Sequence, residues 1–288
     1  MKNANRLVIG TAQFGLDYGI SNNSGQVSLE EANKILDYAY SNGVKELDTA
    51  ATYGESEKVI GNCNSELWSC ITKFTLNKSF ISPDDIYKSV NLSIKRLKRE
   101  KLDGLLIHNV EILKKNGEAI INALRECKRN GLVNKVGVSI YDPNDLELIY
   151  KFITPDIVQT PFNAFDQRIQ SSGWLNLLKS DGVEVHARSI FLQGLLLMDD
   201  QKRPNYFQHW ESIFRSWDLY VAKSGVSKLT CALKIVLENT LIDKLIVGVQ
   251  SLNEISEIIT SLNEELNRPW NLEKDLPSSL IDPRKWEI

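Results

Sequence analysis

Along all 288 residues, short apolar runs alternate with segments whose apolar residues recur at every third or fourth position. The runs occupy positions 7–10, 44–48, 68–73, 104–108, 133–139, 157–160, 183–187 and 244–249. Their shortness and near-continuous apolar character suit strands covered on both faces. The segments between them carry helical faces. Leu29, Ala32, Ile35, Leu36 and Ala39 make one, Ile86, Val90, Ile94 and Leu97 a second, Ile120, Ala123, Leu124 and Cys127 a third, and Leu229, Ala232, Leu233, Val236 and Leu237 a fourth. Ser28 with Glu31, and Ser82-Pro83-Asp84-Asp85, mark helix starts. Gly43, Gly131 and Gly182 follow helical segments, where a left-handed residue closes the last turn. Eight strands, each followed by a helix, predict a single-domain α/β fold, the (β/α)8 TIM barrel. The competing doubly wound sheet would carry a Gly-x-Gly-x-x-Gly loop after its first strand. Here that loop reads Gly10-Thr11-Ala12-Gln13-Phe14-Gly15, without that spacing.

Two segments interrupt the rhythm. Residues 195–225 separate the seventh strand from its helix and hold Phe207, Trp210, Phe214 and Trp217, which predicts an inserted helix over the barrel mouth. The tail 267–288 carries Trp270, Leu276, Leu280 and Trp286 and is expected to dock on the body. A formal net charge of −3 argues against electrostatic binding of nucleic acid or anionic membrane. The first six residues lack the apolar region of a signal peptide, and no apolar run approaches the roughly 18 residues of a membrane span. The four cysteines show no C-x-x-C spacing and read as reduced thiols, so a cytoplasmic protein is expected. His186 and His209 are isolated in sequence, with no spacing that suggests a metal.

Polar residues stand where several of the apolar runs stop. Asp48 ends the second, Lys73 the third and His108 the fourth, and Tyr53 lies five residues beyond Asp48. Each has a bland reading: a helix cap, a lysine reaching solvent, a satisfied loop histidine, a loop aromatic. In a barrel, however, strand C-termini open onto one face, so all four can meet there. A carboxylate, an ammonium, a phenol and an imidazole together suit proton transfer to an oxygen on which negative charge develops. A nearby ammonium is expected to lower the phenol's pKa from its ordinary value near 10.

At these residues the chain resembles the aldo-keto reductase family, bacterial type. Leu47-Asp48-Thr49-Ala50-Ala51-Thr52-Tyr53-Gly54-Glu55-Ser56-Glu57, with Gly61 beyond, matches the family's D-T-A-x-x-Y-G-x-S-E signature. Lys73 and Leu106-Ile107-His108 match its other catalytic positions. The resemblance implies a (β/α)8 barrel and hydride transfer from NAD(P)H to an aldehyde or ketone, possibly sugar-like. It assigns Tyr53 as general acid, supported by Asp48, Lys73 and His108. It also implies cofactor contacts. Gly10 and Thr11 line the first loop, with Asp48 beside them. Ser139, Gln159 and Asn163 lie around the nicotinamide carboxamide. Ser189, Leu192 and Gly194 fall in the pyrophosphate loop, and Gly248, Gln250, Ser251, Glu254 and Glu257 in the adenosine-phosphate segment.

Three residues depart from the family pattern. Ile140 replaces a common asparagine. Arg188 stands where an aromatic often stacks on the nicotinamide, and a guanidinium can either stack there or bind an anionic substrate. Gln250 falls where a basic residue often grips the 2′-phosphate, and no Lys or Arg occurs between positions 247 and 266. NADP(H) is favoured as the family default, with NAD(H) as the alternative. Two rival functions share the fold. One is a nucleotide-binding regulatory or partner-binding barrel with little catalysis. The other is a Schiff-base aldolase using a neutral Lys73. The sequence names no substrate and no oligomeric state.

Overall fold

The computed structural model describes residues 3–288 except 21, 23, 64, 77 and 273. Eight parallel strands close into a barrel in sequence order, each pairing with the next and the last with the first. They are β1 (Leu7–Gly10), β2 (Glu46–Asp48), β3 (Ser69–Phe74), β4 (Leu102–Ile107), β5 (Val133–Ser139), β6 (Ile157–Pro161), β7 (Glu184–Arg188) and β8 (Lys244–Gly248). The principal helices between and after them are α1 (Leu29–Ser41), α2 (Ser56–Asn62), α3 (Pro83–Leu97), α4 (Leu113–Arg129), α5 (Asp145–Ile149), α6 (Trp174–Ser180), α7 (Glu211–Ser224), α8 (Lys228–Glu238) and α9 (Leu252–Ser261). This is a (β/α)8 TIM barrel.

Local chemistry sets the helix starts. Ser28 accepts the Glu31 N–H at 3.2 Å, and Ser82 with Asp85 forms a reciprocal capping box ahead of Pro83. Gly43, Gly131 and Gly182 all have positive φ after α1, α4 and α6. Some strand limits differ from the sequence reading. β2 starts at Glu46 rather than position 44, because the Val44 N–H is used by the Ala39 carbonyl to close α1. β3 continues one residue past Lys73, and β4 stops at Ile107, so His108 sits just beyond its strand.

Alternation along the strands layers the barrel interior. Ile71, Leu106 and Ile157 form a small apolar middle layer. Toward the mouth, two residues further along β3 and β6, come Lys73 and Gln159, with Asp48 from β2. At the opposite end lie Glu46, Glu184 and His186, with Lys135 and Lys244 reaching in. Between strands and helices runs the main apolar core. A second apolar cluster joins the insertion to the tail: Phe165, Phe214, Trp217 and Trp270 pack ring on ring. Buried indole N–H groups find carbonyls, Trp217 at Leu196 (2.9 Å) and Trp270 at Ala164 (2.7 Å). This cluster sits beside the β6 and β7 loops, so of the 195–225 segment only Leu197 is among the residues lining the central cleft.

His186 is isolated in sequence but not in space. Its Nε2 lies 3.0 Å from Glu184 Oε1, and Lys135 also pairs with Glu184. The Glu184 carboxyl is held down to about 2, with the His186 hydrogen bond as the largest cause, burial opposing it and Lys135 adding to the lowering. A folded-state value below the ordinary one means that the stabilisation is present above about 4.5 and is lost as pH falls toward 2. Glu184→Gln is expected to lower stability at pH 7 by about 1 kcal/mol, discounted for partial exposure. It should also flatten the acid limb between those pH values. Urea denaturation at pH 7 and pH 3 checks this, and parallel losses in variant and parent would remove Glu184 as the responsible group.

Candidate active site

The signature segment is held in place from within. Thr11 donates from both its N–H and its hydroxyl to the Asp48 carbonyl, each at 2.9 Å. Ser56 Oγ reaches the Thr11 carbonyl at 2.8 Å and lies 3.0 Å from Thr49 Oγ1. Buried Glu57 accepts the Thr72 hydroxyl at 2.7 Å and pairs with Arg96 at 3.3 Å. These bonds tie the β1 loop, the β2 tip and α2 together. Gly15 completes the seam: a Cβ there would lie 1.8 Å from the Tyr53 carbonyl oxygen, so any side chain would push the Tyr53 loop away.

On this base the four polar residues converge. Lys73 Nζ donates to Asp48 Oδ2 at 2.6 Å and to the Thr49 carbonyl at 2.9 Å, with its side chain 1% exposed. Gln159 Nε2 donates to Asp48 Oδ1 at 2.7 Å, and Ser139 Oγ donates to Gln159 Oε1 at 3.3 Å. The ammonium stands 5.1 Å from the Tyr53 ring centroid. Tyr53 and His108 meet edge to face, centroids 5.8 Å apart. Thr52 Oγ1 lies 3.1 Å from His108 Nδ1.

The electrostatics correct one expectation. The Tyr53 phenol is not acidified: burial, then the Asp48 charge, raise its pKa above the ordinary value, and Arg188 opposes them. Burial is the larger cause, because it disfavours the phenolate, and the Asp48 carboxylate that holds Lys73 adds its own charge against it. Burial pushes the Lys73 pKa down, and Asp48 opposes that. His108 is pulled down to about 3 by burial and by the charges of Lys73 and Arg188, so its imidazole is neutral at pH 7.

One cleft runs from this cluster across the mouth to α9, with about 1410 Å³ of space including the part open to solvent. Asp48, Tyr53 and His108 line one end, and Ser139, Gln159 and Arg188 line the wall beside them. Gly10, Thr11, Ser189 and Gly194 lie in the middle, and Gly248, Gln250, Glu254 and Glu257 at the far end. Four sequence-selected residues, Lys73, Leu192, Ser251 and Asn163, do not line it. Lys73 is buried behind Asp48, Leu192 turns its side chain into the second apolar cluster, and Ser251 caps α9 through the Glu254 N–H at 3.2 Å. Asn163 points to the Ser189 carbonyl at 3.0 Å and the Phe165 N–H at 2.8 Å, which fixes the β6 and β7 loops. Ser189, Leu192 and Gln193 have positive φ, as does Gly194, so the middle loop is wound in a left-handed form that non-glycine residues adopt only under tertiary constraint.

Sequence reasoning passed over Tyr141. It follows the β5 tip by two residues and lines the cleft. Its ring is stacked between two guanidinium groups, Arg188 at 4.0 Å and Arg284 of the tail at 3.6 Å. Arg188 also donates to the Ile140 carbonyl at 2.8 Å. The departures at positions 140 and 188 are therefore linked: the β7 guanidinium rests on the β5 loop. The only signal in the sequence was an aromatic directly after a strand tip. Thr52 was passed over as well, although it lies within the signature. No cluster of three or more metal-ligating side chains occurs among the described residues, and none of their helices is long and apolar enough to cross a membrane.

Comparison with known proteins decides the family. The model of the aldo/keto reductase family matches residues 6–269, most of the chain. The chain belongs to the aldo/keto reductase family. Among its curated relatives, an uncharacterized oxidoreductase, YqkF of Bacillus subtilis, is 24% identical over 88% of this chain and 90% of its own. L-galactose dehydrogenase of Arabidopsis thaliana is 26% identical over 83% and 80%. Among aldo/keto reductase-like structures, glycerol dehydrogenase AKR11B4 of Gluconobacter oxydans superposes with a TM-score of 0.73 at 22% identity, covering 91% of this chain and 88% of that one. The holo form of aldo-keto reductase AKR11C1 from Bacillus halodurans gives 0.73 at 19%, covering 90% and 87%. At such identities the structural likeness speaks for the fold.

Proposed function

We propose that the cleft binds a reduced nicotinamide dinucleotide and a small carbonyl compound, and that the compound is reduced to an alcohol with Tyr53 as proton donor. The observation that carries this reading is the convergence of Tyr53, neutral His108 and the buried Lys73–Asp48 pair at one end of a single long cleft. Family membership, with reductases and dehydrogenases among the relatives, supports it. The residues present suit the dinucleotide: the cleft continues from Tyr53 to Gln250 and Glu254, and the buried Gln13 Oε1, which has no protein partner, offers an acceptor beside Gly248.

The bound dinucleotide supplies hydride. The rest falls to the chain's own groups. With Thr52 donating to Nδ1, His108 carries its proton on Nε2 and presents it to the substrate oxygen, which fixes the direction of the carbonyl. Tyr53 keeps its proton until negative charge develops on that oxygen, then transfers it. The phenolate left behind is stabilised by Lys73, and Asp48 and Gln159 hold that ammonium in place. Lys73 with a carboxylate at 2.6 Å is poorly placed to act as a neutral Schiff-base nucleophile.

The polar surroundings, Arg188, Tyr141, Tyr18 and Gln193, favour a hydroxylated, sugar-like substrate, and the relative that acts on L-galactose points the same way. A panel of aldehydes, ketosugars and ketoacids, followed by loss of nicotinamide absorbance, tests the proposal. Hydroxylated substrates are expected to react fastest. A protein that binds dinucleotide but reduces none of the panel would favour the regulatory barrel instead.

A further inference from the structure

If the reacting end of the dinucleotide lies at Tyr53, its adenosine half must occupy the other end of the same cleft, where α9 begins. The backbone N–H groups there would ordinarily attract a phosphate. In this chain a carboxylate already holds the first of them, and a second carboxylate holds an N–H just ahead of the helix. Leu252 N–H donates to Glu31 Oε1 of α1 at 2.7 Å, and Gln250 N–H donates to Glu254 Oε2 at 2.8 Å. Glu254 and Glu257 both line the cleft, and Glu257 is oriented by Asn253 Nδ2 at 2.7 Å. No Lys or Arg lies between positions 247 and 266 to offset them. The lysines on the neighbouring helices already have carboxylate or carbonyl partners. Lys34 donates to Glu30 at 2.6 Å and stands 3.9 Å from Glu31, whereas Lys228 donates to the Met198 carbonyl at 2.6 Å and faces Asp218 at 2.9 Å.

We propose that this acidic collar, Glu254 and Glu257 in the cleft with Glu31 backing them at the start of α9, is a ribose-diol site that accepts NAD(H) and rejects the 2′-phosphate of NADP(H). The inference rests on the reading of the cleft as a dinucleotide site and departs from the family default. A carboxylate has several acceptor positions, so Glu254 can hold the Gln250 N–H and accept from a ribose hydroxyl together. Gln13 Oε1 adds a further acceptor at the same end. A phosphate at the same place would face the Glu254 and Glu257 carboxylates and find the Leu252 and Glu254 N–H groups already bonded, to Glu31 and to Ser251. Discrimination is thus built as much on repulsion as on attraction.

The test is binding, independent of turnover. Titration of the full chain by tryptophan fluorescence and calorimetry compares NADH with NADPH, and 5′-AMP with 2′,5′-ADP. NADH and 5′-AMP are expected to bind tighter than their phosphorylated counterparts by about tenfold or more, which corresponds to about 1.4 kcal/mol. Equal or tighter binding of NADPH would overturn the proposal while leaving the dinucleotide site standing. No binding of either nicotinamide would overturn both. The variants Glu254→Gln and Gln250→Arg, single and combined, are expected to narrow the preference with NADH affinity changing less than NADPH affinity. A preference that survives unchanged in the combined variant would overturn the assignment to this collar.

Discussion

Tyr53→Phe is expected to lower carbonyl reduction by about 10²–10⁴-fold, the range that a positioned general acid contributes. Dinucleotide affinity should hardly change, because the variant keeps the ring and loses one oxygen. The ring's edge-to-face contact with His108 and its packing near Lys73 survive the substitution, so the fold around it should too. What is lost is the proton. The neutral imidazole of His108 can orient a carbonyl but is a poor acid at pH 7, since burial and two neighbouring cations disfavour its charged form. The measurement is kcat and kcat/KM on the best substrate of the panel, beside a fluorescence titration of the cofactor. Parent-like turnover in the variant would remove Tyr53 as the donor and move that role to another group in the cleft.

Lys73→Met is expected to cost stability as well as activity. The ammonium and the Asp48 carboxylate are both buried and 2.6 Å apart. Deleting one partner of such a pair leaves an unpaired charge in a poorly hydrated place, at about 3–5 kcal/mol. Gln159 alone would then face Asp48 Oδ1, and the Thr49 carbonyl would lose its partner. The double variant Asp48→Asn, Lys73→Met removes both charges and should recover most of that stability, because a neutral pair of similar volume needs no counter-ion. It should not recover turnover. Urea denaturation of the three proteins separates these effects. If the single variant is as stable as the parent, Lys73 and Asp48 do not act as a buried ion pair. If the double variant regains turnover, Lys73 serves packing rather than chemistry.

Much of the barrel is legible in the sequence, because its code is local. A strand covered on both faces must be apolar along its length, and a helix lying on the sheet must repeat its apolar residues every third or fourth position. The strand limits shifted by a few residues for equally local reasons. Val44 looks like a strand residue, yet its N–H completes the C-terminus of α1. The meeting of Asp48, Lys73 and Tyr53 followed from the rule that strand tips share a mouth, and their geometry is that of neighbours.

Other features depended on partners distant in sequence. Tyr141 between Arg188 and Arg284 unites a β5 loop, a β7 tip and the tail, and none of those segments announces the others. His186 became part of a network only when β7 met β2 and its own neighbour Glu184 turned inward with it. Glu31 lies on the first long helix and reaches the start of the last, across a separation of 221 residues. The sign of the Tyr53 shift was misread from residue types for the same reason. Residue types suggest an ammonium acidifying a phenol, but burial of the phenol and the Asp48 carboxylate that partners the ammonium both act against the phenolate.

The sequence by itself determined the order of strands and helices, and so the closed parallel barrel, through short apolar runs and helical faces that repeat every three to four residues and need no distant partner. It also determined the chemical types available at the mouth. Only the tertiary structure decided which of those groups are charged, which are neutral, and which carboxylates already occupy the start of α9. Those outcomes depend on burial and on distances between residues far apart in the chain, and hydrogen bonds and screened charges act over only a few ångströms.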